Sequence, residues 1–181
     1  MPKAMTIMGR TSSITNAFYN GIIPVIEPSE EEINKALNIL GIDQNDVKCC
    51  YCGDNATEWD HLRPLIINKK PTGYISEIDN LVPCCGKCNQ SKGNKNWLEW
   101  INSNALKSPK TRGVENLSEK IQKIKDYEYS TKPKRIDNFE SIVGKDLWEK
   151  HLQNYDDIIN IMKKCQTVSD EIKERIKINF K

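Results

Sequence analysis

Two C-x-x-C pairs constrain this chain more than any other feature of its 181 residues. Cys49 and Cys52 enclose two residues, Cys85 and Cys88 enclose two more, and the clusters holding them lie 32 residues apart, from Cys52 to Cys84. Two residues between thiols let a short turn aim both sulfurs at one ion, and two such turns complete a tetrahedral thiolate site for Zn2+. The other chemistry open to a C-x-x-C pair is that of a redox dithiol. The total of seven cysteines is odd, and Met1 to Gly21 lacks the basic-then-apolar pattern of a secretion signal, so a disulfide framework is not expected. Cys50 and Cys84 break the two-residue spacing and read as bystanders; Cys165, far downstream, reads as a small buried residue.

The pattern around the cysteines sets the frame. Ser29 with Glu32 makes a capping box, Glu30 and Glu31 suit a helix start, and Ile33, Ala36, Leu37 and Leu40 recur at helical spacing, so residues 29–40 are predicted as a helix stopped by Gly41. Thr57 to Leu62 and Asn80 to Pro83 read as strands, separated by a long loop marked by Pro64, Lys69-Lys70-Pro71 and Thr72-Gly73. The second cysteine pair opens a helix expected to run past Trp100, with Trp97, Leu98 and Ile101 as its packing face; Trp59, Trp97 and Trp100 are all assigned to the core. Residues 114–129 and 144–178 are predicted helical. The expected organisation is an N-terminal segment at 1–48, a zinc-stapled core at 49–105 and a helical region at 106–181.

On the strand–loop–strand–helix frame sit Trp59-Asp60-His61, then Asp79-Asn80-Leu81-Val82-Pro83, then Cys88-Asn89-Gln90-Ser91-Lys92-Gly93. Over roughly residues 49 to 100 the chain resembles the HNH, or ββα-metal, nucleases. That family has an Asp-His or His-His pair ending its first strand, an Asn starting the second, and an Asn or His on the helix. Its zinc-stapled branch adds C-x-x-C before the pair and C-x-x-C-N-x-x-K-G after it, and all these elements stand here in order. The resemblance implies an α+β chain with a ββα-metal core, a structural zinc on Cys49, Cys52, Cys85 and Cys88, and mainly helical flanks.

The chemistry expected at each position follows. Phosphodiester hydrolysis needs an activated nucleophile and a group that absorbs charge on the phosphate. His61, with an ordinary pKa near 6.5, suits the general base. Asp60 and Asn89 supply the hard oxygens that Mg2+ or Mn2+ prefers, water and phosphate filling the remaining positions. By resemblance, Asn80 holds the inter-strand loop and so positions His61. Lys92, Lys69, Lys70, Lys95 and Arg63 are the candidate DNA contacts.

Net charge alone argues against such a partner, since 27 basic residues nearly balance 25 acidic ones. Regionally the picture differs: residues 1–61 carry 4 basic and 9 acidic residues, whereas residues 62–112 carry 9 and 3. Positive charge is concentrated beside the candidate site, as DNA binding requires. Thr11, Ser12, Ser13, Thr15, Asn16 and Asn20 suit base and phosphate contacts or an unstructured tail. No run of 18 apolar residues exists, which excludes a membrane-spanning helix and leaves a cytoplasmic, bacterial setting as the expectation.

Small type II restriction endonucleases share these features, and one centre cuts one strand, so a double-strand cut of duplex DNA implies a homodimer. Ile158, Ile159, Ile161 and Met162 could face a partner or a monomer core. The alternatives are a nicking, homing or phage-defence nuclease, a zinc-stapled binding module that does not cut, and an RNA-cleaving toxin.

Overall fold

The protein is described by a computed structural model covering residues 5–180. In chain order it contains α1 (Thr11–Asn20), α2 (Glu30–Leu40), β1 (Glu58–His61), β2 (Ile66–Ile67), β3 (Lys70–Pro71), β4 (Leu81–Cys84), α3 (Gly86–Lys92), α4 (Trp97–Ile101), α5 (Leu117–Ser130), α6 (Phe139–Val143) and α7 (Lys145–Asn179). The class is α+β, with two small antiparallel sheets, β1 with β4 and β2 with β3. The chain divides into two units, Ile23–Asp137 and a second made of Met1–Ile22 with Asn138–Lys181. Among the described residues no helix is long and apolar enough to cross a membrane.

Within Ile23–Asp137, local chemistry sets each boundary. Ser29 N donates to Glu32 Oε2 at 2.7 Å and Glu32 N donates to Ser29 Oγ at 3.3 Å, so two orphan donors at the start of α2 are satisfied reciprocally. Gly41 ends α2 at φ 65°, a backbone conformation open to glycine without a Cβ penalty. β1 pairs with β4 in the register Glu58 to Cys84, Trp59 to Pro83, Asp60 to Val82 and His61 to Leu81. The long loop between them carries its own hairpin, β2–β3, turned by Asn68 and Lys69 at φ 51° and 62°. Positive φ at both turn residues gives the backbone twist that matches the flanking strands.

The helix expected to run from the second cysteine pair past Trp100 is instead two. Gly93 adopts φ 51°, ψ −130°, which breaks α3. Asn96 then recaps the chain, its side chain accepting from Leu98 N at 2.9 Å and Glu99 N at 3.1 Å. The bend folds Trp97, Trp100 and Ile101 into a core with Leu40, Tyr51, Leu62, Val82, Ile124 and Tyr127. Trp59 departs from its expected core placement and is exposed, because it lies on the β1 face opposite Asp60. The α5 side chain Tyr127 reaches the sheet, donating its hydroxyl to Leu81 O at 3.0 Å.

In the other unit, α1 packs on α7. Thr15 lies buried with its hydroxyl 2.8 Å from that of Tyr155, and Phe18 stacks on His151 with ring centroids 4.1 Å apart. The stack continues from His151 to Trp148 and from Trp148 to Phe139. The polar run from Thr11 to Asn20 is thus a helix rather than a tail. Cys165, expected to be buried, is exposed on α7. Ile158, Ile161, Val168 and Ile172 are exposed along the same helix.

Candidate functional site

The first knuckle is a tight backbone turn. Gly53 N donates to Cys49 O at 2.8 Å and Cys49 N donates to Asp54 O at 2.7 Å, which presents Cys49 and Cys52 on one side. The second pair straddles the junction of β4 with α3, Cys85 standing just before the helix and Cys88 one turn inside it. Strand pairing brings the two pairs together: the sulfurs of Cys49, Cys52, Cys85 and Cys88 all lie within 4.8 Å of one another. Four convergent thiols with no disulfide among them fit a thiophilic ion such as Zn2+. Shared hydrogen bonds with Cys52 and Cys88 lower the Cys49 pKa and raise that of Cys88, so thiolate character settles on Cys49. Burial pushes Cys50 and Cys84 upward instead, and neither belongs to the cluster.

Arg112 is a partner that the spacing did not reveal. Its guanidinium donates to Cys88 Sγ at 3.4 Å and to Asp54 Oδ2 at 2.9 Å, placing positive charge beside a thiolate cluster that exceeds the charge of one divalent ion. It lies 24 residues beyond Cys88 and in no motif, so nothing in the sequence marks it.

The second centre lies across the β1–β4 ladder and α3. Asp60 is 5% exposed, accepts from the Tyr51 hydroxyl at 2.7 Å, and meets the Lys92 ammonium at 2.9 Å. Burial raises the Asp60 pKa, and the Lys92 charge and the Tyr51 and Lys92 hydrogen bonds oppose that rise. Lys92, expected at the surface as a phosphate contact, lies wholly in the interior, where it also donates to His61 O at 2.7 Å. The physical reason is that Asp60 points inward and a buried carboxylate draws in the nearest cation.

His61, at the end of β1, has Nε2 2.9 Å from Ser76 Oγ. Burial first, and the Lys92 charge second, lower its pKa to about 4. The imidazole is therefore neutral at pH 7 and able to accept a proton. Asn80 is fully buried; its Oδ1 accepts from Arg63 N at 2.9 Å and its Nδ2 donates to Arg63 O at 3.0 Å. It clamps the residue two beyond His61, where the strand enters the loop. Asn89 stands on α3 and donates from Nδ2 to Glu58 Oε2 at 2.6 Å. Glu58, Ser76 and Tyr51 were not singled out from sequence. For Glu58 a signal existed, because strand alternation puts it on the same side as Asp60.

The other candidate DNA contacts separate into two kinds. Lys69 and Lys70 are exposed at the β2–β3 turn, and Lys95 is exposed, with Nζ donating to Ser91 O at 2.8 Å across the end of α3. Arg63 is held inward, donating from NH2 to Glu128 O at 2.9 Å and lying over the Tyr74 ring.

No protein-family model matches the chain, and no solved structure matches it. Over 92 residues the chain is 28% identical to the CRISPR-associated endonuclease Cas9 of Corynebacterium diphtheriae, a match covering 42% of this chain. The chain spans 8% of that protein's length. The likeness is therefore to a part of an endonuclease.

Proposed function

We propose that this chain is a metal-dependent DNA endonuclease of the HNH, or ββα-metal, type, with a structural zinc on its four clustered cysteines. The observation that carries the reading is the convergence, on one antiparallel strand pair and the helix after it, of a neutral imidazole, an amide clamp on the adjoining loop and a helix-borne Asn89, all beside the cysteine staple. The likeness to part of an endonuclease supports the same chemistry.

In the proposed reaction His61 removes a proton from the attacking water. With the ring proton on Nε2 and directed to Ser76 Oγ, Nδ1 is the nitrogen with a free lone pair. Asn80 fixes the Arg63 peptide and with it the direction of His61. A bound Mg2+ or Mn2+ would polarise the phosphate and steady the leaving oxygen. Asn89 fits such an ion, standing half-exposed with an amide oxygen to offer, whereas Asp60 has both oxygens engaged. Lys69, Lys70 and Lys95 supply exposed positive charge for duplex DNA.

The finer assignment is a type II restriction endonuclease acting as a homodimer. Along α7, Ile158, Ile161, Cys165, Val168 and Ile172 recur at alternating steps of three and four and are exposed, the pattern of a coiled-coil seam. Light scattering should show a dimer that Ile161→Glu with Val168→Glu converts to a folded monomer; a monomeric parent chain removes the dimer. The proposed nuclease core at 49–105 lies inside the Ile23–Asp137 unit, with α2 and α5 contributing to the same hydrophobic core.

A plasmid assay with Mg2+ and Mn2+ tests the function. Discrete fragments support restriction, nicked circles a nickase, and a smear a nonspecific nuclease. RNA cut with DNA untouched selects the toxin reading, and binding without cutting in either metal selects the non-cleaving module.

The His61 environment also sets a pH expectation. A base works when unprotonated, so its contribution is full above its pKa and is lost as pH falls through about 4. Cleavage at pH 5.5 should therefore nearly equal that at pH 7.5. An ordinary imidazole would lose about nine-tenths of its activity across that interval, and such a loss in the measured profile would contradict the buried, neutral His61.

A further inference from the structure

A basic segment outside every motif of the nuclease pattern, Lys132-Pro133-Lys134-Arg135, lies against the loop that leads into β4. Arg135 forms an antiparallel bridge with Tyr74, and Ile136 N donates to Gly73 O at 2.8 Å. Gly73 permits this approach: its φ is 95°, and a Cβ there would collide with Ile136 O. Two carboxylates pin the main chain of the segment, Asp79 Oδ2 accepting from Lys132 N at 3.2 Å and Glu77 Oε1 accepting from Lys134 N. Lys132, Lys134 and Arg135 remain exposed.

The Arg135 side chain is positioned without being used up. Its Nε donates to Thr72 O at 3.1 Å, 63 residues away in sequence, and its guanidinium carbon lies 5.7 Å from the centre of the Tyr74 ring. Among the described residues its two terminal nitrogens have no partner, which leaves a fork of the shape that phosphate oxygens accept in pairs. The Lys132 ammonium is also without a partner among those residues, whereas that of Lys134 lies 3.5 Å from Glu77 Oε2. Asp137 is the one acidic residue of the 132–137 stretch, against three basic ones.

The same loop runs directly to the candidate base. Lys69 and Lys70 stand just before Thr72, and Ser76, four residues after it, lies 2.9 Å from His61 Nε2. Four residues of chain span at most about 14 Å, and phosphates of one DNA strand recur about every 3.4 Å along the helix axis. The anchor of Arg135 therefore falls within about four nucleotides of the anchor of His61.

We propose that Lys132 and Arg135, continuous with Lys69 and Lys70, form a strip that holds backbone phosphates of duplex DNA alongside His61. The inference deepens the nuclease reading and rests on it for the choice of partner, but the strip itself is open to direct measurement.

The experiment follows the fluorescence anisotropy of a labelled DNA duplex titrated with the full chain carrying His61→Ala, which removes cleavage, at a series of salt concentrations. The slope of log affinity against log salt reads the number of phosphate contacts. Arg135→Ala and Lys132→Ala should each weaken binding and make that slope shallower by about 0.9, and the double variant by about 1.8. Arg135→Lys returns the charge and should return the slope. Lys145→Ala, which removes a lysine paired with Glu149 on α7, should leave the slope unchanged. Arg135→Ala should fold, because the main-chain bonds of Lys134 and Ile136 do not involve its side chain. A melting curve checks this, and Lys132→Ala, which removes no side-chain bond of the described residues, carries the test if Arg135→Ala does not fold. Parental affinity and slope in the folded alanine variants, with only the melting temperature lowered, would make the segment a structural brace and overturn the proposal. A parent chain that binds no duplex at low salt overturns it as well. The two readings fail separately. A chain that binds duplex DNA through Arg135 and cuts no nucleic acid loses the nuclease function and keeps the strip. One that cuts DNA with KM and salt dependence unaltered by Arg135→Ala and Lys132→Ala keeps the function and loses the strip.

Discussion

On the proposed nuclease reading, replacing His61 by alanine should lower DNA cleavage by about 10²- to 10⁴-fold while leaving the chain folded and its zinc content unchanged. The size follows from removing a positioned base: water must then lose its proton to bulk solvent, and the remaining orientation and charge stabilisation supply the residual rate. Folding should survive because the imidazole contributes one side-chain hydrogen bond, to Ser76, and His61 is half-buried. Its backbone carbonyl, which anchors Lys92, is unaffected by the substitution. Ser76→Ala separates positioning from structure: if Ser76 holds the tautomer, the maximal rate falls with little change in KM. Single-turnover cleavage with matched circular dichroism spectra checks both variants. His61→Ala cutting at the parental rate would refute the catalytic assignment.

If the four-cysteine cluster holds the proposed zinc, stripping the metal, or substituting one thiol as in Cys88→Ser, should unfold the Ile23–Asp137 unit. The four clustered thiols come from two segments joined through one short strand pair, β1 with β4, and Tyr51, Val82 and Trp100 belong to the same core. Structural zinc contributes on the order of 10 kcal/mol of apparent binding free energy, comparable with the whole stability of an ordinary domain. Thermal melts with and without a strong chelator, alongside metal analysis of the purified chain, measure the effect. Cys84→Ala is the control, since Cys84 is equally buried yet stands outside the thiol cluster; it should cost packing and retain the metal. A chain that holds no zinc and changes melting temperature with thiol oxidation would favour the redox dithiol instead.

Several elements were legible because their causes are local. The capping box of Ser29 and Glu32, the Gly41 stop and the apolar spacing of α2 act within one helix. The cysteine spacings likewise encode a ligand set, because each pair needs only a short turn. The break of α3 at Gly93 is not legible locally, since glycine inside a helical pattern is often tolerated. The exposure of Trp59 follows from strand alternation, which overrides its hydrophobicity.

The sequence by itself determined that four thiols share one site, that a strand pair and a helix follow them, and which titratable residues stand at their ends. These depend on spacing and period, which survive without knowledge of distant neighbours. Tertiary structure alone decided that Lys92 turns inward to Asp60, that Arg112 reaches Cys88, that Glu58 is the carboxylate bonded to Asn89, and that α1 joins α7 in one unit. Each of those depends on contact between residues far apart in the chain, and on whether a charge is buried or solvated. The same lysine that reads as a phosphate contact in solvent becomes an internal counter-ion once burial makes an unpaired Asp60 too costly to leave alone.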